Sequence, residues 1–382
     1  MDLKPYVAEI LADIESSGQE AVKKYSEKFD NYRGSLRVED TDFPGPDEVT
    51  KEERKAIQEA IGRVRQHHKR QRPSDDLYLQ AGSIYGTVYR PLGRVGIYVP
   101  GGSPLPSTLI MTGVPAQLAG VDDIVVVSPP SDGEIDPHVL YVAEVLGIGE
   151  IYRLGGAQAI GAMAYGTGLT PVDKIFGPGN RYVNEAKRQV YGQVGIDSLA
   201  GPSEVCIIAD ETADRDLVIA DLRSQLEHGD DSLAWLLTTS VELGKNCEDS
   251  GAEIEFKEDL SECVARANEL APEHLQIMVS EGKDLLDQVR NAGAVYFGDF
   301  TPAAAADYFL GVNHVLPTGG AARFDSVLTV RDFMKPISVA STGKEEFRNI
   351  SGIGKQLTKI ENMPDHLKSL EARDDEATDG GS

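Results

Sequence analysis

Val95-Gly-Ile-Tyr-Val-Pro100 runs into Gly101-Gly102 and is followed, after one helix length, by Asp123-Ile-Val-Val-Val-Ser128, which Pro129-Pro130 ends. The second run does not alternate apolar with polar residues. A strand apolar on both faces is what a parallel sheet requires. The segment Ser107–Leu118 reads as the helix that crosses between the two strands. Downstream the alternation continues: helix 138–146, strand 150–154, helix 157–165, strand 174–176, helix 182–190. A second series follows, with strands at 205–209, 233–238, 275–279 and 294–297 and helices at 214–228, 260–270 and 282–289. Two βα series of similar rhythm give an α/β chain of two Rossmann-like, duplicated lobes. Neither lobe carries the G-x-G-x-x-G dinucleotide fingerprint.

Upstream, residues 5–30 and 50–70 read as helices, because Leu11, Ile14, Val22, Tyr25 and Phe29 recur at helical spacing among charges. After Thr301 the chain is Ala-rich and then loop-like to Gly320, and residues 344–372 read as helical. Residues 374–382 are acidic and Gly-rich, the composition of a disordered tail.

Charge narrows the function classes. The chain has 382 residues, 37 Lys plus Arg against 62 Asp plus Glu, and a net charge of −25. Such a surface argues against nucleic acid held on a broad basic face. No apolar run approaches the ~18–20 residues needed to cross a bilayer. The start, MDLKPYVAEI, has no secretory pattern. Cys206, Cys247 and Cys263 are odd in number and scattered, so no disulfide framework and a cytoplasmic location are expected.

Three glycine-rich turns fall where strands meet helices: Pro100-Gly-Gly-Ser103, Gly155-Gly-Ala-Gln158 and Phe176-Gly-Pro-Gly-Asn180. Each either closes a tight turn or lets backbone approach an anionic ligand at a helix N-terminus. Gln225 and His228 are spaced to share one face of a helix. They could ligate a metal, or His228 could simply sit at a helix C-terminus held by the dipole. Glu273-His274, just before an apolar strand, offers an acid–base pair or a surface turn. Asp307 and the loop Gly311-Val-Asn-His314 to Gly320 suit a site or a connection. Glu361 and His366 lie in the C-terminal helical segment. Nitrogen and oxygen donors of this kind suit zinc, though spacing alone does not bring them together.

Taken in order, RVGIYVPGG (94–102), GGAQAI (155–160), KIFGPGNRYV (174–183), GIDSLAGPSEV (195–205), SQLEHGDDS (224–232), APEHLQ (271–276), NAGAVYFGDFTP (291–302), DYFLGVNHVLPTGGAARF (307–324) and ENMPDHLKSLEAR (361–373) closely resemble histidinol dehydrogenase. The resemblance implies oxidation of L-histidinol to L-histidinal and then to L-histidine, the last steps of histidine biosynthesis, with two NAD and one zinc per site. It implies Gln225, His228, Asp307 and His366 as zinc ligands and Glu273 and His274 as the catalytic pair. Substrate binding falls to Ser203, His274, His314, Glu361 and the ligand residues, and NAD binding to Tyr98, Gln158 and Asn180.

It further implies a cytoplasmic homodimer in which a C-terminal arm, residues 331–373, completes the neighbour's site. The first lobe, 97–204, would bind NAD. A helical N-terminal part, 1–96, would pack with the second lobe, 205–330. The chain departs from the family pattern in lacking part of its N-terminal arm, in Val312 where proline is common, and in Asn362-Met363 after the glutamate. The alternative is a paralogous zinc- and NAD-dependent dehydrogenase of another polar alcohol.

Overall fold

The computed structural model describes residues 2–39, 42–45, 47–102, 104–227, 229 and 231–375. They divide into a first unit, within 1–72 and 91–333, and a second, within 73–90 and 334–382.

In the first unit, helices α1 (Leu3–Ser17) and α2 (Gln19–Asp30) bury a stripe of Val7, Ile10, Leu11, Ile14, Val22 and Tyr25. Helix α3 (Lys51–His68) opens with a capping box. The Thr50 side chain accepts from the Glu53 N–H, and the Glu53 side chain accepts from the Thr50 N–H. Strands β1 (Asp76–Gln80) and β2 (Ser83–Pro91) belong to the second unit.

The first lobe is β3 (Arg94–Tyr98), α4 (Pro106–Ala119), β4 (Asp123–Ser128), α5 (Pro137–Leu146), β5 (Glu150–Arg153), α6 (Gly156–Tyr165), β6 (Lys174–Phe176), α7 (Arg181–Val190) and β7 (Gly195–Ile196). The second lobe is β8 (Glu204–Ala209), α8 (Arg215–Leu226), β9 (Leu233–Thr238), α9 (Val241–Asn246), β10 (Glu253–Phe256), α10 (Leu260–Leu270), β11 (His274–Met278) and β12 (Ala294–Phe297), then α11 (Ala303–Tyr308).

Every strand pair in the two lobes is parallel. The spatial orders are β5-β4-β3-β6-β7 and β10-β9-β8-β11-β12. Renumbered from each first strand, both read 3-2-1-4-5, so the duplicated Rossmann-like reading holds at the level of topology.

Helices α1 and α2 pack differently from the expectation, whereas α3 reaches the loop after α11 through His68 and Asn313. Val7, Leu11, Ile14 and Val22 share a core with Val125, Val127, Ile160 and Ile175 of the first lobe, not with the second. An apolar helical stripe requires a partner surface but does not specify which one.

In the second unit, β1 and β2 form an antiparallel hairpin turning at Ala81-Gly82, both with positive φ. Strand β13 (Met334–Ser341) hydrogen-bonds to β2, and helices α12 (Lys344–Ile360) and α13 (Pro364–Asp375) follow. Residues 76–91 are therefore not helical, and the C-terminal arm opens with a strand. Its helical part breaks at Asn362, with φ +54°, before Pro364. The tail is expected from 374, but α13 runs on to Asp375; the expectation for residues 376–382 lies outside the described residues.

Candidate active site

Adjacent strands bring the acid–base pair to its neighbours. Strands β8 and β11 pair with Val205 opposite His274, so Ser203 and Glu204 stand beside Glu273. Glu273 Oε2 accepts from the Ser203 hydroxyl at 2.7 Å and from the Glu204 N–H at 3.0 Å. Both bonds favour the carboxylate. Burial opposes them and prevails, and with the charges of Asp307 and Glu204 it pushes the Glu273 carboxyl up to about 7.

His274 Nε2 stands 3.7 Å from Glu273 Oε1. Its other ring nitrogen, Nδ1, lies 3.1 Å from the hydroxyl of Tyr296 on β12. Burial drives that phenol far above its ordinary range, so it keeps its proton. Gly293, in the turn before β12, has no room for a side chain: a Cβ would meet the Glu273 carbonyl oxygen at 2.6 Å.

Ser203, Glu273, His274, Asp307 and His314 line one cleft between the two lobes, of about 250 Å³. Asp307 Oδ1 and His314 Nδ1 are 3.9 Å apart in it. The loop bearing His314 is tied down from both sides. Asn313 donates through Nδ2 to the Met111 carbonyl at 2.7 Å and meets His68 Nε2 at 3.1 Å. Farther along, the Gly319 N–H donates to Glu204 Oε1 at 3.2 Å.

Gln225 is buried near the end of α8. That helix stops at Leu226, short of the expected end at 228, and the expectation that His228 shares its face lies outside the described residues. Gln276 links the helices that carry two candidate donors. Its Nε2 donates to Asp221 Oδ2 at 2.8 Å, and its Oε1 accepts from the Ala303 N–H at 3.0 Å. Asp221 and Ala303 lie one helical turn before Gln225 and Asp307. Glu361, at the end of α12, and His366, on α13, are exposed residues of the second unit. Among the described residues, no three His, Cys, Asp or Glu side chains gather closely enough to hold a metal ion. The donor chemistry of Gln225, His228, Asp307 and His366, one amide, two imidazoles and one carboxylate, nevertheless suits zinc.

A second cavity, of about 660 Å³, lies at the carboxyl ends of the first lobe's strands and is lined by Tyr98, Gln158 and Asn180 with Asp30 and the turn at Gly101-Gly102. The Tyr98 hydroxyl accepts from the Gly156 N–H at 3.2 Å. Gln158 Nε2 donates to Asp30 Oδ2 at 3.0 Å. The Asn180 side chain caps α7, accepting from the Tyr182 and Val183 N–H groups. The three residues expected to contact NAD thus line one cavity.

The cysteines are buried and unpaired with one another, and burial raises the thiols of Cys206 and Cys263, which disfavours thiolate chemistry. The sequence reading had missed Tyr296, Glu204 and Gln276. All three stand inside quoted segments, but only the strand pairing reveals what they touch.

A sequence profile for histidinol dehydrogenase matches residues 1–374. The histidinol dehydrogenase of Thermococcus kodakarensis is 58% identical over 372 residues, covering 97% of this chain and 99% of that protein. The crystal structure of histidinol dehydrogenase from Elizabethkingia anophelis superposes with a TM-score of 0.93 at 34% identity, covering 99% of this chain and 93% of that one. Betaine aldehyde dehydrogenase from Staphylococcus aureus shares the fold alone, with a TM-score of 0.51 at 11% identity over 90% of this chain and 84% of that one.

Proposed function

We propose, since this chain belongs to the histidinol dehydrogenase family and is an oxidoreductase by that membership, that it oxidises L-histidinol through L-histidinal to L-histidine with two NAD and one zinc per site. The observation that carries the reading is Glu273 and His274 in one small cleft with Ser203, Asp307 and His314.

Gln225, His228, Asp307 and His366 would hold the zinc, which when bound supplies Lewis acidity and a fixed point for the substrate's imidazole and amine. Tyr98, Gln158 and Asn180 would hold NAD, which supplies the hydride acceptor. His274 takes the alcohol proton while Tyr296 holds the far side of its ring. In the second half-reaction Glu273 takes a proton from the water that adds to the aldehyde carbon. A carboxyl near 7 is ionised in a substantial fraction at neutral pH and still basic enough for this task. Ser203 and the Glu204 N–H occupy Oε2, leaving Oε1, the oxygen nearer His274, to receive the proton. The narrow cleft retains the aldehyde between the two steps. A homodimer in the cytoplasm, with Glu361 and His366 supplied by a neighbouring copy, completes the reading.

The test is stoichiometric. Two NADH should form per L-histidinol, formation should stop with a chelator, and zinc should restore it. Inactivity toward L-histidinol alongside activity on another polar alcohol would overturn the substrate assignment.

A further inference from the structure

Lys187 and Asp197 form a buried ion pair that the acid–base chemistry does not use. Their side chains are 1% and 4% exposed. Lys187 Nζ also donates to the Gly177 carbonyl at 3.1 Å, and Asp197 Oδ2 accepts from the Gly177 N–H at 2.7 Å. Both backbone polar groups of one glycine are therefore gripped by one ion pair.

Gly177 is held in a conformation open to glycine, with φ +107°, and lies so close to β3 that a Cβ would meet the Tyr98 carbonyl oxygen at 2.0 Å. The turn it begins is a wall shared by two spaces. Gly177 and Pro178 line the cleft of Glu273 and His274, while Asn180, at the turn's end, lines the cavity of Tyr98 and Gln158. Hydride moves only between carbons in contact, so a substrate in the first space and a cofactor in the second would bring their reacting carbons together beside this turn.

We propose that the Lys187–Asp197 pair is a positioning device that clamps the Gly177 turn and so sets the distance between substrate carbon and hydride acceptor. The inference rests on the reading that the two spaces hold L-histidinol and NAD. A charged clamp suits the task because a buried pair with further hydrogen bonds has one good geometry and resists sliding. Displacement of about 1 Å at a reacting centre costs on the order of 100-fold in rate.

Three variants test it: Asp197→Asn, Lys187→Met, and the double variant Lys187→Met/Asp197→Asn, which leaves no uncompensated buried charge and so guards against simple unfolding. The readouts are kcat, KM for L-histidinol, NAD affinity by direct titration, and the kinetic isotope effect with L-histidinol dideuterated at the carbinol carbon. The expected result for the double variant is a kcat lowered about 100-fold, an isotope effect raised as hydride transfer becomes limiting, and NAD affinity and KM within about threefold of wild type. Loss of folded protein lowers kcat but leaves the isotope effect and KM in place, so that pattern overturns the proposal, as does an unchanged kcat. If the wild-type protein forms no NADH from L-histidinol, the functional reading fails first and separately.

Discussion

His274 Nε2 stands 3.7 Å from Oε1 of Glu273, although consecutive residues of a strand face opposite ways. They meet because β11 begins at His274, and Glu273 belongs to the turn before it. The pleat does not yet govern the glutamate, and its carboxyl swings to the side where Ser203 stands just before the neighbouring strand.

Burial holds the Glu273 carboxyl near 7, so aldehyde oxidation should rise with pH through that value and level off above it. Stopped-flow assays starting from L-histidinal check this. A flat profile between pH 5 and 8 would remove Glu273 as the base.

The same shift has a stability sign. A carboxyl raised in the folded state binds its proton more tightly there than in the unfolded chain, so its stabilising contribution is present below the ordinary 4.5 and is lost as pH rises through about 7. Glu273→Gln should therefore gain melting temperature relative to wild type at pH 8 compared with pH 4.5, by up to about 3 kcal/mol in stability.

The two half-reactions should separate by mutation. His274→Asn should slow alcohol oxidation about 10²–10⁴-fold, whereas Glu273→Gln should slow mainly aldehyde oxidation. Tyr296→Phe, which removes the hydroxyl 3.1 Å from Nδ1, should give a smaller loss in the alcohol step. Wild-type rates in both His274→Asn and Glu273→Gln would refute the assignment.

His68 predicts an acid-labile loop. Its Nδ1–H donates to the Val64 carbonyl at 2.9 Å and its Nε2 faces the Asn313 amide, a neutral imidazole that burial holds down at about 4. The unfolded chain takes up a proton that the folded one refuses. The stability present above pH 6.5 is therefore lost as pH falls towards 4, by roughly 3 kcal/mol at most. Melting curves of His68→Gln should lose this slope. Because Glu273 tilts stability the other way over much of the same range, both variants are needed to see either effect cleanly.

Gln276→Leu should cost about 1–2 kcal/mol, because it strands the half-buried Asp221 carboxyl and the Ala303 N–H together. Chemical denaturation of the zinc-free protein measures it, and a change below about 0.5 kcal/mol would show that the link carries no strain-bearing role.

Legibility in the sequence followed burial. Strands such as Asp123–Ser128, apolar on both faces, announce a parallel sheet, and their bounds were read to the residue. The hairpin Asp76–Gln80 with Ser83–Pro91 escaped notice because β1 is exposed along its whole length and shows no in–out alternation. Its third strand comes from the distant segment Met334–Ser341, a pairing no local pattern encodes. The site was legible only in part. Glu273 and His274 declare themselves as adjacent titrating groups, but Ser203 and Tyr296 join them only through strand register. Gln225 and Asp307 were linked by family resemblance, whereas the amide between their helices, Gln276, needed coordinates.

The two lobes share one strand order yet face their work in opposite directions. The first offers the carboxyl ends of its strands, at Tyr98 and Phe176, while the second offers the amino ends of β8 and β11. At the second lobe's other end, Thr212 Oγ1 donates to Asp210 and accepts from the Ser280 N–H at 3.2 Å, linking the loops that follow β8 and β11. Two lobes of one strand order thus present opposite ends, the first the carboxyl ends of its strands and the second the amino ends.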